Sequence, residues 1–477
     1  ITNAGNFSTD SGTIKLDGNY PTGDDNVALG NTALDSVQAG GVKNTAIGSE
    51  SGTGITTGDC NTAVGYRSLR DTTTGCSNIA VGVDALLDNE TGCYNVAISR
   101  ALINNTTGTQ NVAMGAYALD ANTTASQSVA IGFDASSIST TGDKNTVVGF
   151  EAGRNGTTAC GNTGIGFCAL RSVTTANNNV AVGKNSMRDH TTGQFNVAVG
   201  CGSLDANTTG CCNTAIGSSA LSTNTTANNN TAMGYQSLYL NTTGAVNASF
   251  GGYALNVNTT GAQNTAVGIS SLENNTTADA NTAVGYRALY LNTTGTFQTA
   301  IGNCAGRSIT TGTHNTTIGQ NSGGLITTGG ENITIGRAAG QDAVFNLTTE
   351  SNRVVMGINA ITNAYIKVAW TVTSDLRDKT EIGDVPHGLD FVDKLKPVSF
   401  KFKKSREDDI PTGTKHYGFL AQDILELEGS DNVIIDNEDD NNLKYKGEHL
   451  VPVLVNAIKE LSEENKDLKS RIETLEN

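Results

Sequence analysis

The chain has 477 residues, with 56 glycines, 5 prolines and a formal net charge of −16. That is too long for one ordinary domain and suits a long array joined to a smaller module. The acidic balance argues against a phosphate-binding surface, which needs clustered Lys and Arg, and no apolar run approaches the ~20 residues that cross a bilayer. Neither a nucleic-acid partner nor membrane insertion is expected.

Residues 1–25 read as an N-terminal connector. Because the sequence starts at Ile1 rather than Met, the expectation is that the natural N-terminus lies upstream or has been removed. Between Pro21 and Pro386 there is no proline, which is compatible with uninterrupted β-ladders and unlike disordered low-complexity sequence. Charge is uneven: residues 1–373 carry 15 Lys/Arg and 22 Asp/Glu, and residues 374–477 carry 15 and 24. The composition therefore changes near residue 374.

Residues 26–351 are a repeat. Anchored on the Asn of Asn-(Thr/Val)-Ala-(Val/Ile)-Gly, copies begin at Asn26, Asn44, Asn61, Asn78 and Asn95, and then run from Asn111 to Asn332 with Ser128 and Gln298 as variant anchors. The spacing is 17 residues, with one extra after Asn26 and one fewer after Asn95, where the glycine is lost; the total is 19 copies. So strict a period points to equal coils stacked in register, because a coil this short is stabilised only by its neighbours. Each copy has a short β-prone segment, such as Asn281-Thr282-Ala283-Val284-Gly285, then Ala288-Leu289, then a polar corner, Asn292-Thr293-Thr294-Gly295. Asn, Thr and Gly suit turns, and aligned Asn and Thr can hydrogen-bond as ladders. Spaced at ~4.8 Å, the copies would build a shaft of roughly 85 Å. Apolar content is thin, so three chains around a common axis are expected to share the burial.

The repeat resembles the head repeats of trimeric autotransporter adhesins and the shafts of bacteriophage tail fibres. It departs from them in its period and in the Asn-Thr-Thr-Gly corner. All nine cysteines fall in the repeat. Cys60, Cys76, Cys93, Cys160, Cys211 and Cys212 precede a copy, and Cys168, Cys201 and Cys304 lie five or six residues into one. They are expected to face the interior of the stack, with stacked disulfides or a metal site as alternatives. Without a CxxC pair, no metal and no cofactor is expected.

Residues 352–373 contain two strand-like runs, Arg353–Gly357 and Ala364–Trp370, read as a β-rich cap on the end of the array. Residues 374–477 form the last module. It opens with Ser374-Asp375-Leu376-Arg377-Asp378-Lys379 and continues through Leu395-Lys396-Pro397-Val398-Ser399-Phe400 and His416-Tyr417-Gly418-Phe419-Leu420-Ala421-Gln422-Asp423 to a hairpin over Val433–Tyr445 and a terminal helix. In these motifs the module resembles the endosialidase-type intramolecular chaperone, also classed as a self-cleaving serine peptidase. The resemblance implies a domain that trimerises a fibre, assists its folding and cuts itself off just before the motif serine. Ser374 would then attack the carbonyl of Thr373, with Lys379 handling the proton. Arg377, His416, Gly418 and Gln422 match family motif positions. From the residues alone, a serine needs a base and a lysine serves if burial or nearby charge lowers its proton affinity. Asp375 could orient the pair or cap a helix, and capping alone would also explain Ser374 and Asp375. Since positions five apart share a helix face poorly, a working dyad needs an irregular turn or completion between subunits.

The terminal helix reads in heptads, with Val451, Ile458, Asn465 and Ile472 at a and Leu454, Leu461, Leu468 and Leu475 at d. Asn465 is placed to set register. Ile at a with Leu at d leans toward two strands, whereas the resemblance implies three.

The expected fold is mainly β: a trimeric β-solenoid shaft followed by a small α+β chaperone module ending in a coiled coil. The expected function is a structural viral tail fibre or appendage for host attachment, assembled in the host cytoplasm and carried on the virion. Its partners would be virion tail or baseplate proteins at the N-terminus and a host-surface glycan or protein receptor. Apart from single-turnover Ser-Lys autocleavage no catalysis is expected. The alternatives are a glycan-degrading tailspike, for which the repeats offer scattered acids such as Glu151 and Asp205 without a carboxylate pair, and a bacterial surface adhesin, which would call for a membrane anchor.

Overall fold

A computed structural model describes residues 8–9, 12–15, 23–341, 346–358, 360–361, 364–365, 367, 373–403, 406, 409–430, 432–438, 440 and 443–476. The chain divides into two compact units, residues 1–358 and 359–477.

The first unit is a parallel β-solenoid. Each copy contributes one three-residue strand, and equivalent residues pair rung to rung, as in Thr214↔Thr231, Ala215↔Ala232 and Ile216↔Met233. The stack absorbs its irregular copies without losing register. Val96 pairs with Val112 across the shortened copy, and Val27 pairs with Thr45 across the lengthened one. At the first rung, the strands Ser8–Thr9 and Gly12–Lys15 form an antiparallel hairpin whose second strand pairs antiparallel with Val27–Leu29, covering an edge that would otherwise be open. At the other end, Val354–Met356 pairs in parallel with Ile333–Ile335. This segment, read from sequence as part of a cap, is a further rung of the same ladder. Of the second expected cap strand, residues 366 and 368–370, Trp370 among them, lie outside the described residues.

The strand's middle residue, usually Ala, points inward and its neighbours point out, as strand alternation requires. The interior also takes the Ala or Ser and the Leu that follow, for example Ala220 and Leu221. Each chain thus closes a narrow core around its own axis, so thin apolar content is no argument for sharing a core among three chains.

Two buried asparagine ladders complete the interior. In the first, the Asn213 side-chain oxygen accepts the backbone N–H of Asn230 at 3.0 Å, and its Nδ2 donates to the Ala227 carbonyl of its own coil at 2.8 Å. Each anchor Asn so ties one coil to the next and closes its own coil. In the second, Asn224 Nδ2 donates to Asn207 Oδ1 at 2.9 Å and to the Ala227 carbonyl at 3.1 Å. Corner threonines donate to backbone rather than to each other, as Thr208 Oγ1 does to Thr225 O at 3.0 Å.

The conformation carries strain. In the copy from Asn61, Arg67, Leu69 and Ser77 all have φ between 52° and 58°, a region costing an ordinary residue roughly 1–2 kcal/mol. The strand-ending glycine is more constrained. Gly200 has φ +137°, and a Cβ there would stand 2.5 Å from the carbonyl oxygen of Gly217 in the next coil. At the shortened copy Ser99 takes this place at φ 73°.

The apolar core falls into two clusters, one ending at Val147 and Ala152 and the other beginning at Ala159 and Leu170. In the copy between them, Gly153 and Gly156 stand where most copies have Leu and Asn. Val147 leans into the space beside Gly153, leaving a cavity of about 10 Å³.

The cysteines depart from expectation: among the nine, only Cys168 is buried, and the six that precede a copy lie at corner positions that point outward. Glu151 and Asp205 are ion-paired to Arg171 (2.7 Å) and Arg188 (3.2 Å).

Two outcomes follow for stability. Gly200→Ala should destabilise the shaft by about 2–4 kcal/mol in chemical unfolding. Gly210→Ala, in the same coil, should cost less, within about 2 kcal/mol. A Cβ there would stand 2.4 Å from Ala227 O, but the backbone is not left-handed, and Ala125, Ala227 and Ala278 show that the corner shifts to admit alanine at the equivalent position. The second outcome concerns His190, which replaces an Asn of the second ladder. It is fully buried, with Nε2 2.7 Å from Gly193 O and Nδ1 2.9 Å from Asn207 Nδ2, an arrangement that fits the neutral ring protonated at Nε2. Burial holds its pKa below the usual value. The unfolded chain therefore binds the extra proton first, and the shaft should lose stability as pH falls below about 6.5. His190→Asn should remove this part of the acid sensitivity, read as a denaturation-midpoint gap between variant and wild type that widens from about pH 7 to about pH 5.

Candidate functional site

The second unit is described by itself. Its core is Phe391, Ile424, Ile434, Ile435, Leu450 and Val453, drawn from helices α1 (Leu389–Val392), α2 (Ala421–Glu428) and α3 (Leu450–Glu476) and the strand Ile435–Asp436. Ahead of α1 lies the candidate dyad. Asp375 has extended backbone and caps a single 3-10 turn, Leu376–Asp378, by accepting the Arg377 N–H. Lys379 then returns to extended backbone while its N–H donates to Leu376 O. The tight turn brings the Lys379 side chain back over the N-cap side, and Nζ donates to Ser374 Oγ at 2.6 Å. An α-helix would not place these residues together; the irregular turn does.

Asp375 takes no part in that pair. Its carboxylate accepts from Arg377 Nε at 3.0 Å and Nη2 at 2.6 Å, and the Arg377 guanidinium holds its pKa below the usual carboxylate range. Of the two roles open to Asp375 from sequence, the geometry displays capping. Residues 373–386 are all exposed. For Lys379 to act as a base its ammonium must give up a proton and reverse the hydrogen bond. What favours that is burial or a like charge, and this turn by itself supplies no burial.

The other motif residues form a separate group. Strands Val398–Lys403 and Pro411–Gly418 pair antiparallel, with Phe400 opposite His416 and Val398 opposite Gly418. The His416 ring lies 5.9 Å from that of Phe400 and 5.4 Å from that of Phe402. Gly418 leaves room for Phe400, whose Cε1 would be 3.2 Å from a Cβ there. Gln422 lies exposed in the first turn of α2. Among the described residues no hydrogen bond, ion pair or ring contact joins His416, Gly418 or Gln422 to Ser374 or Lys379. Asn465 lies exposed on α3 and donates to Leu461 O at 2.9 Å within its helix. A groove of about 1030 Å³ elsewhere in the unit is lined by Asp384, His387, Glu428 and His449 among others, and its lining includes neither Ser374 nor Lys379.

Three residues that sequence reasoning passed over organise the unit. Glu428, buried at the end of α2, accepts the N–H groups of Val433 at 2.9 Å, Ile434 at 2.6 Å and Ile435 at 3.0 Å. Glu460 accepts the Leu389 N–H at 2.6 Å, at the start of α1, and Asn456 donates to Val385 O at 3.1 Å. Because Asn456 and Glu460 act on chain some 70 residues away, no local motif betrays them.

Residues 374–433 match the family described as chaperone of endosialidase. The match opens at Ser374 and takes in Asp375, Arg377, Lys379, His416, Gly418 and Gln422; it stops short of the second hairpin strand, α3 and Asn465, which the resemblance read from sequence had included. No curated protein and no solved structure matches the chain. A chaperone-type domain thus follows a β-solenoid, a combination that fits a fibre-like or tailspike-like protein.

Glu428→Gln would turn an amide N–H₂ toward backbone N–H donors. It should destabilise the second unit by about 1.5–3 kcal/mol in chemical unfolding, read as loss of the α3 helical signal at lower denaturant.

Proposed function

We propose that the chain is the subunit of a homotrimeric viral fibre whose C-terminal domain aligns three chains and then severs itself between Thr373 and Ser374. The observation that carries this reading is an apolar stripe. The last residue of each strand points away from the chain's own core, and in this position Ile47, Val199, Met233, Phe250, Ile301 and Ile335 are all more than a third exposed. Stacked in register, they make a continuous face along the shaft, of a kind a solitary soluble chain seldom presents. The heptad face of α3 repeats the pattern, leaving Ile458, Leu461, Leu468 and Ile472 exposed. The number three rests on the resemblance to the chaperone family.

Identical rungs can pair one coil out of step at little local cost, so three chains need a common start, which a trimerising C-terminus supplies. In the cleavage step, Ser374 Oγ attacks the Thr373 carbonyl carbon while Lys379, as the free amine, takes the hydroxyl proton and passes it to the Ser374 nitrogen. The C–N bond breaks, an ester joins Thr373 to Ser374 Oγ, and water hydrolyses it to the Thr373 carboxylate and the Ser374 hydroxyl. Packing of the exposed turn against a neighbouring chain would supply the burial that frees the amine, so assembly comes before cutting. Loss of the aligning domain then leaves a shaft that is kinetically trapped. Virion tail or baseplate proteins at the N-terminus and a host-surface receptor complete the proposal.

Sedimentation and intact-mass analysis of the purified full chain test it. Wild type should sediment as a trimer of shafts with a mass ending at Thr373, and Ser374→Ala as a trimer of uncut chains. Monomeric wild type would sink the fibre reading. A trimer that stays uncut, or Ser374→Ala that is cut as efficiently as wild type, would sink the chemistry and leave the fibre standing.

A further inference from the structure

One corner position of the shaft makes its own ladder, in which a side chain of several coils accepts the backbone N–H of the coil before it. Asp143 Oδ1 accepts from Ser126 at 2.7 Å, Asn177 Oδ1 from Cys160 at 2.7 Å and Asn228 Oδ1 from Cys211 at 2.7 Å. At the third and fourth coils two cysteines meet in this ladder. Cys93 Sγ accepts the Cys76 N–H at 3.1 Å, and the two sulfurs stand 2.8 Å apart. Being one coil apart in register, their Cα atoms are separated by about 4.8 Å, inside the 4.4–6.8 Å range that a disulfide spans. Both residues are partly exposed.

From this geometry we infer that Cys76 and Cys93 are a redox site, closed to a disulfide by a low-molecular-weight disulfide oxidant, which staples the third coil to the fourth. The environment assigns the order of events. Cys93 Sγ receives two donors, the N–H and the S–H of Cys76, and as a thiol it would donate to Thr91 O at 3.6 Å. The hydrogen bond to Cys93 pushes the Cys76 thiol up to about 11, so Cys76 keeps its proton. The Cys93 thiolate attacks one sulfur of the oxidant and displaces one thiolate, giving a mixed disulfide. Cys76 then attacks Cys93 Sγ, its proton leaving with the second displaced thiol. In sum, two cysteine thiols and one disulfide give the Cys76–Cys93 bond and two small thiols. Cys160 and Cys211 occupy the same ladder position but face Asn177 and Asn228, so they have no partner of this kind.

The test uses the full chain and oxidised glutathione. Trypsin cleaves after Arg70 and Arg100, so the peptide 71–100 contains Cys76 and Cys93 and no third cysteine. After oxidation and alkylation under denaturing conditions, the wild-type peptide should carry neither alkyl group nor glutathione and weigh two hydrogens less than its reduced form. Cys76→Ser should trap one glutathione on Cys93, whereas Cys93→Ser should leave Cys76 to the alkylating agent. Ser126 already occupies this ladder position in another coil, so serine suits the fold. A wild-type peptide with two alkyl groups or two glutathiones would overturn the pair. Glutathione trapped on Cys76 in Cys93→Ser would overturn the assigned order.

Discussion

The shaft depends on one repeated bond, the buried anchor asparagine accepting the next anchor's backbone N–H. An unpaired amide in that interior would cost a few kcal/mol, so each side chain needs its counterpart one coil on. That need makes the spacing strict. It also explains why the shortened copy at Ser99 survives, since the missing residue falls outside the bond: Asn111 N–H still reaches Asn95 Oδ1 at 3.0 Å. The strain of three left-handed residues per coil is offset only by such ties between neighbours. A coil therefore has no stable fold of its own, and the array stands or falls with its stacking.

Much of this was legible in the amino-acid order and some was not. Period, strand position and mainly β class all come from local chemistry. The placement of Asn does not. Ladders of aligned Asn were legible, but not that they run through the interior, where Asn207 and Asn213 are fully buried. Leu69 in a left-handed conformation runs against its own preference for the same reason: inter-coil bonding outweighs what a residue favours alone. Cysteine misled in the opposite direction, because small size suggests an interior place while the corner geometry turns most of them outward.

In the second unit, the Ser374–Lys379 pairing was anticipated on condition of an irregular turn or of completion between subunits. The 3-10 turn meets that condition, and Arg377 decides what Asp375 does, a competition that spacing leaves open. Glu428, Glu460 and Asn456 were out of reach because their partners are set by the unit's packing. The unit thus has a locally encoded turn at its N-terminal end and a framework that is encoded across the chain.

The break in the core at Gly153 and Gly156 has a consequence of its own. A stack coupled only between neighbours behaves as a one-dimensional crystal, and its cooperative length is set by its weakest bond. Elsewhere a missing leucine is replaced by an isoleucine, as at Gly52 with Ile55 and at Gly306 with Ile309. The successive copies with Ser136 and Ser139 and with Gly153 and Gly156 have neither, with Val147 as a partial filler, while the backbone ladder runs on through Thr146↔Thr163. The shaft is therefore continuous as a lattice and divided as a core. A domain wall between ordered and melted coils has its lowest energy at these copies, which makes them the place where a thermal or mechanical front advancing from either end comes to rest.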